Sequence, residues 1–295
     1  MGTRLRIVAE APSRKGAERT TEVALREVER LDRMLSTWDP LSELSQVNTA
    51  PAGSRVPVSK ELAALLAEAE SWARRAGRAF DPTVGALVDA WDLRGAGRVP
   101  DEAELARAIS ATGPWVLDVE DAAAVRRSSS GWIDSGAFGK GAALRSAARI
   151  LRPSDARRVL LDLGGQIWAA APADEPWPVE VAHPIHRQKP AAHLEVAGVS
   201  VATSGASERP GHLLDPRTGR PAPAWGSVTV VSADPLEADV LATALYVMGP
   251  EAGLDWALAQ PHMAALFLRP SETGVTASWT PAMERWLVEI LKEDG

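Results

Sequence analysis

Asp134-Ser135-Gly136-Ala137-Phe138-Gly139-Lys140-Gly141 joins a β-like segment to a helical pattern, and it is the most informative stretch of the chain. Trp132 and Ile133 lead into it, and apolar residues at helical spacing follow it. Glycines at such a turn let a ligand approach the backbone, and the amide groups of the new helix favour an anion. A lysine in this position adds positive charge and indicates phosphate binding. The stretch matches neither G-x-x-x-x-G-K-[ST] nor G-x-G-x-x-G, so a Gly-rich turn with a solvated lysine is an equal alternative.

The composition is that of a globular protein large enough for one big domain or two joined lobes. The chain has 295 residues, of which 45% are hydrophobic and 24% charged. No apolar run is long enough to cross a bilayer. A net charge of −7 argues against general nucleic-acid binding, which needs a basic surface. The absence of cysteine excludes disulfides and thiolate catalysis.

Hydrophobic spacing predicts a mixture of helices and short strands. Predicted helices cover 16–35, 59–76, 101–109, 235–248, 251–260 and 281–291, with a capping box at the start of the third. Predicted strands cover 115–119, 123–127, 158–163, 166–171, 177–183, 192–197, 199–203, 227–233, 264–269 and 274–279. Many strands follow one another closely, which favours an α+β fold with mostly antiparallel sheets. We expect one continuous domain over residues 1–295 with two sub-lobes.

A second informative stretch runs from Glu237 to Leu245. Asp239 and Thr243 are four residues apart on a predicted helix, so their oxygens share one face. A carboxylate beside a hydroxyl suits a hard cation such as Mg²⁺, which also binds phosphate oxygens. The alternative is structural: Thr243 bonds back to the Asp239 carbonyl, and Asp239 lies near the helix start for dipole reasons. The residues alone favour the structural alternative.

A third stretch places a histidine just before a tight turn. Asp215 to Gly219 is typical of a turn between two strands. His212 is placed to reach a site beside Ser204, and a neutral histidine can accept a proton from an alcohol. A structural role for His212 is the alternative.

A fourth stretch, Phe80 to Val88, contains Asp81-Pro82-Thr83 at the expected start of a helix. Leu87 and Val88 are expected to pack inward. A capped helix start explains most of this pattern without a ligand.

Together these stretches resemble the FAD:protein FMN transferases, the ApbE-type flavin transferases. Each match alone is weak, but the set follows family order and is specific. The matching segments are Met1–Thr3 (M-G-T), Met34–Ser45 (M-S-T-Y-D-P-x-S-E-L-S, with Trp38 replacing tyrosine), Phe80–Val88 (F-D-P-T-V-G-x-L-V), Asp134–Gly141 (D-x-G-x-x-A-K-G, with Gly139 replacing alanine), Leu163–Gly165 (L-G-G), Ala202–Gly205 (A-T-S-G), His212–Gly219 (H-I-I-D-P-x-T-G) and Asp239–Leu245 (D-A-L-A-T-A-L).

The resemblance implies an ApbE-like α+β domain with a Mg²⁺-dependent activity. Such an enzyme cleaves the FAD pyrophosphate and attaches FMN through a phosphoester to a threonine or serine hydroxyl of a target protein, releasing AMP. Carried over by position, Asp239 and Thr243 would bind Mg²⁺ with the backbone oxygen of Ala137. The catalytic residues would be His212, as general base, and Asp239. Contacts to FAD would come from Met1, Trp38, Ala79, Phe80, Asp81, Asp134, Lys140, His212 and Leu213.

The chemistry of the residues agrees with this assignment. Pyrophosphate cleavage needs charge neutralisation, which a cation, a lysine and a helix N-terminus can supply. The nucleophile belongs to the acceptor protein, expected to carry a D-G-A-[ST]-like segment, so no activated serine is needed in this chain. Trp38 keeps the ability of an aromatic residue to stack on a flavin or adenine ring.

Some residues depart from the family pattern. Gln166 stands where many relatives carry aspartate, and Asp162 where many carry asparagine. Trp91-Asp92-Leu93-Arg94-Gly95 replaces a common W-G-F-G, so the adjoining loop is expected to differ.

The sequence is also compatible with two other functions. Water in place of the acceptor hydroxyl gives a Mg²⁺-dependent FAD pyrophosphatase that yields FMN and AMP, and a flavin-binding protein without catalysis is a third reading. The sequence as given shows no leader or lipid anchor, so we expect a cytoplasmic protein, or an exported one if the sequence was trimmed.

Overall fold

The computed structural model describes residues 2–151, 156–207, 211–272 and 274–291. Its α-helices are α1 (Arg14–Leu35), α2 (Glu43–Thr49), α3 (Lys60–Arg75), α4 (Gly85–Ala90), α5 (Glu102–Ser110), α6 (Gly139–Leu151), α7 (Pro235–Met248) and α8 (Pro250–Leu258). Its strands are β1 (Leu5–Glu10), β2 (Arg55–Pro57), β3 (Leu117–Glu120), β4 (Ala123–Arg126), β5 (Arg158–Leu163), β6 (Gln166–Ala170), β7 (Trp177–Ala182), β8 (Pro190–Val196), β9 (Val199–Gly205), β10 (Leu214–Asp215), β11 (Arg220–Pro221), β12 (Ser227–Ser232), β13 (Ala264–Ser271), β14 (Gly274–Trp279) and β15 (Leu287–Ile290). Within those ranges, every helix is too short or too polar to span a lipid bilayer.

The strands form antiparallel sheets. The largest has seven strands in the order β1-β5-β6-β9-β12-β13-β14. Two three-stranded sheets have the orders β15-β8-β7 and β2-β4-β3, and β10 pairs with β11 in a short hairpin. Every pairing between these named strands is antiparallel. The predicted α+β class with mostly antiparallel sheets is confirmed.

The chain divides into two compact units. The first unit contains Arg30–Gly139 and Leu214–Pro221. The second unit contains Gly2–Glu29 and the described residues of 140–213 and 222–291. Sheet β2-β4-β3 and hairpin β10-β11 therefore belong to the first unit, while the seven-stranded sheet and sheet β15-β8-β7 belong to the second.

In the first unit, α3 shows how sequence signals set a helix. The Ser59 hydroxyl accepts a hydrogen bond from the Leu62 amide at 3.1 Å and caps the helix start. Gly77 follows the helix with φ +57°, a conformation that favours glycine. The apolar stripe of the helix is buried in full, at Leu62, Leu65, Leu66, Ala69, Trp72, Ala73 and Ala76. Helix α5 begins with the predicted capping box, formed by Asp101 and Glu104.

In the second unit, α7 packs on strands β9 and β12 and against α8. Apolar residues occur on every side of α7, so the helix has to be surrounded by protein and cannot leave one face in solvent. The helix begins at Pro235, after Asp234 caps the amide of Leu236 at 3.0 Å. Asp239 is the buried charged residue on this helix. A carboxylate in such a setting needs specific partners, and these define the candidate site.

The helix predicted over 281–291 is wrong. Pro281–Arg285 forms a short 3₁₀ turn, and β15 then pairs with β8, with Leu287 opposite Leu194. The apolar residues of this segment repeat at a spacing that also fits a helix, so the local pattern is ambiguous. The strand forms because β8 offers an unpaired edge, and pairing with it satisfies backbone groups that a helix would have bonded internally.

Candidate active site

Asp239 lies where two helices of the second unit meet. The amide of Gly141, in the first turn of α6, donates to Asp239 Oδ2 at 2.8 Å. Lys140 Nζ lies 3.2 Å from Asp239 Oδ1. The side chain of Asp239 is 7% exposed and that of Lys140 is 33% exposed. Burial of an unpaired carboxylate is costly, so these two donors are what permit Asp239 to occupy this position.

Gly141 is required by helix packing. A Cβ atom at this residue would lie 2.6 Å from the carbonyl oxygen of Pro235 and 2.8 Å from Asp239 Cβ. A second link between α6 and α7 is the ion pair of Arg145 Nε with Asp234 Oδ1 at 2.6 Å. The expectation that the glycines of this run leave the backbone open to a ligand is therefore wrong for Gly141. Its surface faces α7, and its amide is engaged by Asp239.

Thr243 lies one turn after Asp239 on α7 and is half-buried. In the described part of the chain its hydroxyl makes no hydrogen bond, including none to the Asp239 carbonyl. The Thr21 hydroxyl of α1, by contrast, does donate to the carbonyl of Ala17 at 2.9 Å. The structural alternative for Thr243 does not form, and its oxygen can accept or coordinate a ligand.

The candidate metal ligands around Asp239 include few charged side chains. Among the described residues, no group of three or more His, Cys, Asp or Glu side chains is arranged to hold a metal ion. Asp239 and Thr243 instead offer one carboxylate and one hydroxyl. Mg²⁺ is commonly held by one or two carboxylates with water and substrate phosphates, so this set fits Mg²⁺ better than a metal that needs a full cage of protein ligands.

Gln166 is buried beside the start of α7. Its Nε2 donates to the carbonyl of Pro235 at 2.8 Å and to Ser200 Oγ at 3.4 Å. Its Oε1 is buried without a hydrogen-bond partner among the described residues. The amide ties β6 to α7, whereas an aspartate would face the same carbonyl with no proton to donate.

Trp38 is 72% exposed, on the loop between α1 and α2 of the first unit. Ser36 Oγ accepts from the amides of Trp38 at 3.2 Å and Asp39 at 3.0 Å, and Asp39 Oδ1 accepts from the amide of Leu41 at 2.9 Å. These bonds fix the loop backbone, as its side chains predict. An exposed indole on a fixed loop can stack on a flat ring.

Asp134 begins the Gly-rich stretch and accepts two hydrogen bonds through Oδ1. One comes from the amide of Gly136 at 3.2 Å, and the other comes from Nη2 of Arg94 at 2.9 Å. Ala137 is half-buried and ends the 3₁₀ turn that Asp134 caps. The sequence analysis did not assign Arg94 to the site. The only indication in the sequence was the departure of residues 91–95 from the family pattern.

The segment Ala79-Phe80-Asp81 is buried, with exposures of 0%, 1% and 2%. Asp81 Oδ1 accepts from the amide of Thr83 at 2.8 Å, and Oδ2 accepts from Nη1 of Arg78 at 2.7 Å. Burial lowers the pKa of Arg78, but Glu70 and Asp81 outweigh it, so that pKa lies above its ordinary value. These contacts give the motif residues a structural role in the fold. Contact of the same residues with FAD stays a prediction.

His212 and Leu213 precede hairpin β10-β11. Within the second unit, the Leu213 carbonyl accepts from the amide of Ala222 at 2.8 Å. His212, Leu213 and Tyr246 line a shallow depression, and burial raises the pKa of Tyr246 above its ordinary value. The phenol is therefore neutral at physiological pH. Met1, also predicted to contact FAD, lies outside the described residues.

The predicted turn at Asp215 is confirmed. The amides of Thr218 and Gly219 donate to the Asp215 carbonyl at 3.2 and 2.8 Å. Gly219 has φ +69°, and a Cβ there would lie 2.6 Å from Ile109 Cγ1. The motif residues from Asp215 to Gly219 thus shape and pack a turn of the first unit.

Comparison with known sequences identifies one family. The model of the ApbE family matches residues 1–267. A FAD:protein FMN transferase of Treponema pallidum is 29% identical, over 91% of this chain and 82% of that protein. One from Salmonella typhimurium is 27% identical, over 98% of this chain and 87% of that protein. One from Rhodobacter capsulatus is 34% identical over 77% of this chain, which spans only 45% of that longer protein.

Solved structures agree with the sequence comparison. The flavin transferase ApbE from Vibrio cholerae has a TM-score of 0.85 at 27% identity, covering 97% of this chain and 96% of that one. The ApbE protein from Thermotoga maritima has a TM-score of 0.86 at 27% identity, covering 96% of this chain and 95% of that one.

Proposed function

The chain belongs to the ApbE family, and we propose that it is a flavin transferase that takes FAD as substrate and a protein as acceptor. The family prediction from the motifs is confirmed by the family model over residues 1–267. Relatives that carry the name FAD:protein FMN transferase support the activity. In the proposed reaction, FMN passes from FAD to a threonine or serine hydroxyl of the acceptor, and AMP leaves.

The observation that carries the proposal is the buried Asp239, with Thr243 one turn away. We propose that these residues hold Mg²⁺, with the Ala137 carbonyl as a further predicted ligand. When bound, Mg²⁺ supplies charge neutralisation to the diphosphate of FAD. The hydroxyl of Thr243, which bonds to no described residue, suits a hard cation.

The residues of the chain then have separate tasks. Lys140 lies in the first turn of α6, so its ammonium group and the helix dipole favour a phosphate near this helix start. His212 is proposed to accept the proton of the acceptor hydroxyl as that hydroxyl attacks the phosphorus atom of the FMN half of FAD. The bond to the AMP phosphate oxygen breaks in the same displacement. In the first unit, Trp38 is proposed to stack on a ring of FAD and Asp134 to contact it.

The decisive test compares Asp239→Ala with Asp255→Ala, an exposed aspartate on α8. Each protein is incubated with FAD, Mg²⁺ and an acceptor that carries a D-G-A-T segment, and released AMP and protein-bound flavin fluorescence are measured. We expect Asp239→Ala to lose about 100-fold or more of both signals, since removal of one key electrostatic group costs that much. The Asp255 variant keeps them. Undiminished turnover in a folded Asp239→Ala protein contradicts the metal assignment.

The same assay separates the alternatives. Free FMN with an unlabelled acceptor identifies FAD hydrolysis, and FAD binding without AMP release identifies a binding protein. Direct Mg²⁺ binding, measured by calorimetry on wild type and Asp239→Ala, tests the metal site without any turnover. The cytoplasmic location stays a prediction, which fractionation of cells that express the natural gene can check.

A further inference from the structure

Arg94 joins four side chains of the first unit. Its Nη2 lies 2.7 Å from Thr37 Oγ1 and 2.9 Å from Asp134 Oδ1. Its Cζ lies over two indoles, 4.8 Å from the ring centroid of Trp38 and 4.4 Å from that of Trp132. Two of these four partners, Trp38 and Asp134, are the exposed indole and the carboxylate already proposed to contact FAD.

Trp132 gives this arrangement a firm support. Its Nε1 donates to Asp89 Oδ2 at 2.7 Å. Its ring also packs against Gly85 so closely that a Cβ there would lie 2.1 Å from Trp132 Cδ2. The indole of Trp132 therefore has one position, and the Arg94 guanidinium that rests on it is restricted in turn.

The orientation of the Trp38 ring depends on Arg94, whereas that of the Trp132 ring is fixed by its other contacts. The hydrogen bonds of its loop fix the backbone but leave both side-chain torsions free to rotate. With 72% of the residue exposed, packing restricts the ring little. A cation over the face of tryptophan is attracted by the ring quadrupole, so Arg94 favours one orientation of this indole.

We propose that Arg94 is a positioning residue, which holds the Trp38 indole and the Asp134 carboxylate in the arrangement that receives a flat ring of the dinucleotide. This inference rests on the proposed function, because it takes FAD as the ligand. The ring is either the isoalloxazine or the adenine, and both offer the same stacking chemistry. Preorganisation of this kind raises affinity by lowering the cost of ordering side chains on binding.

The first test needs no ligand. The protein is labelled with 5-fluorotryptophan, and the ¹⁹F resonance of Trp38 is assigned by its loss in Trp38→Phe. We expect Arg94→Ala to shift or broaden that resonance. Arg55→Ala, which removes an exposed ion pair with Glu120, should leave it unchanged. An unchanged Trp38 resonance in Arg94→Ala overturns the proposal.

A conservative variant separates charge from shape. Arg94→Lys keeps a cation beside Asp134 but lacks the planar guanidinium that covers the indoles. We expect it to retain the thermal stability of wild type while the Trp38 resonance still moves. If Arg94→Lys behaves as wild type in both respects, charge alone is sufficient and the positioning role is contradicted.

The second test measures FAD affinity by quenching of flavin fluorescence. Arg94→Ala should weaken binding about five- to tenfold through lost preorganisation. Combined with Trp38→Ala it should add little, because residues that act through one another are not additive. Fully multiplicative losses contradict the inference. If wild type binds no FAD the proposed function fails, while the ¹⁹F result still decides the role of Arg94.

Binding of the two halves of FAD, measured separately, identifies which ring contacts Trp38. A loss of FMN affinity in Arg94→Ala, measured by the same quenching, assigns the isoalloxazine. A loss of AMP affinity, measured by calorimetry, assigns the adenine. If neither affinity falls, Arg94 does not act through ring stacking and the proposal is wrong.

Discussion

Replacement of Gly141 by alanine tests the physical basis of the site directly. The added Cβ would lie 2.6 Å from the Pro235 carbonyl oxygen, and 2.8 Å from both Asp239 Cβ and Leu236 Cα. Two of these three atoms belong to the backbone of α7, so no side-chain rotation can relieve the contact. Helix α6 has to move away from α7, and the Gly141 amide then moves away from Asp239.

The size of the effect follows from three contributions. Overpacking of this kind costs about 1–3 kcal/mol. A hydrogen bond to a charged group contributes about 1.5–3 kcal/mol, and much of it is lost here. Alanine returns about 1 kcal/mol because it favours a helix more than glycine does. We therefore expect Gly141→Ala to lower the free energy of unfolding by about 2–4 kcal/mol.

Urea unfolding, followed by tryptophan fluorescence and circular dichroism, measures this loss. The matched control is Gly16→Ala in the first turn of α1, where a Cβ would lie 3.3 Å from the Ala11 and Ser13 side chains. That variant should stay within about 1 kcal/mol of wild type, since only helix propensity changes substantially. A Gly141→Ala protein as stable as the control would refute the view that helix contact selects this glycine.

Two further predictions concern single side chains. Lys140→Met leaves the buried Asp239 carboxylate with the Gly141 amide as its remaining hydrogen-bond donor among the described residues. The change should cost about 1–2 kcal/mol in urea unfolding, after allowance for solvent screening at the partly exposed lysine. Arg14→Met, at an exposed ion pair, should cost close to nothing, and equal losses in both would contradict the buried-pair argument. Tyr246 is the chain's one tyrosine, so the rise in absorbance at 295 nm with pH reports its ionisation alone. Its phenol should titrate with a pKa above the ordinary value of 10.0 in the folded protein. Because the pKa of this phenol is raised in the folded protein, the stability that it contributes is complete below the pKa of the unfolded chain and is lost as pH rises through the folded pKa. A titration midpoint in the folded protein at or below the midpoint in urea would contradict burial as the cause.

Local signals in the sequence predict much of the second unit, and helices α3 and α5 of the first. Ser59 and the capping box at Asp101 set helix starts through hydrogen bonds that involve neighbouring residues only. The strands from 158 to 205 also agree closely with prediction, because each is short, apolar and bounded by turn residues. Such information is local, so one sequence contains it.

Other features depend on residues far apart in the chain. Strand β15 forms because the edge of β8 is available, and no local pattern in 281–291 reports that edge. The role of Gly141 depends on Pro235, which lies in another helix. Arg94 shows the same limit, since its contacts with Trp38 and Asp134 bring together three separate segments of the first unit.

Motif matches identify the family without stating which motif residues contact a ligand. Asp81 and Trp38 are both motif positions, yet Asp81 is 2% exposed and Trp38 is 72% exposed. The carboxylate of Asp81 is engaged by Arg78 and Thr83, so its removal should first cost stability. Removal of the Trp38 indole exposes no core and should first cost affinity. Thermal stability and FAD affinity, measured on Asp81→Asn and Trp38→Ala, should therefore fall in opposite order, and a parallel loss in both variants would show that the family motif is a single structural unit.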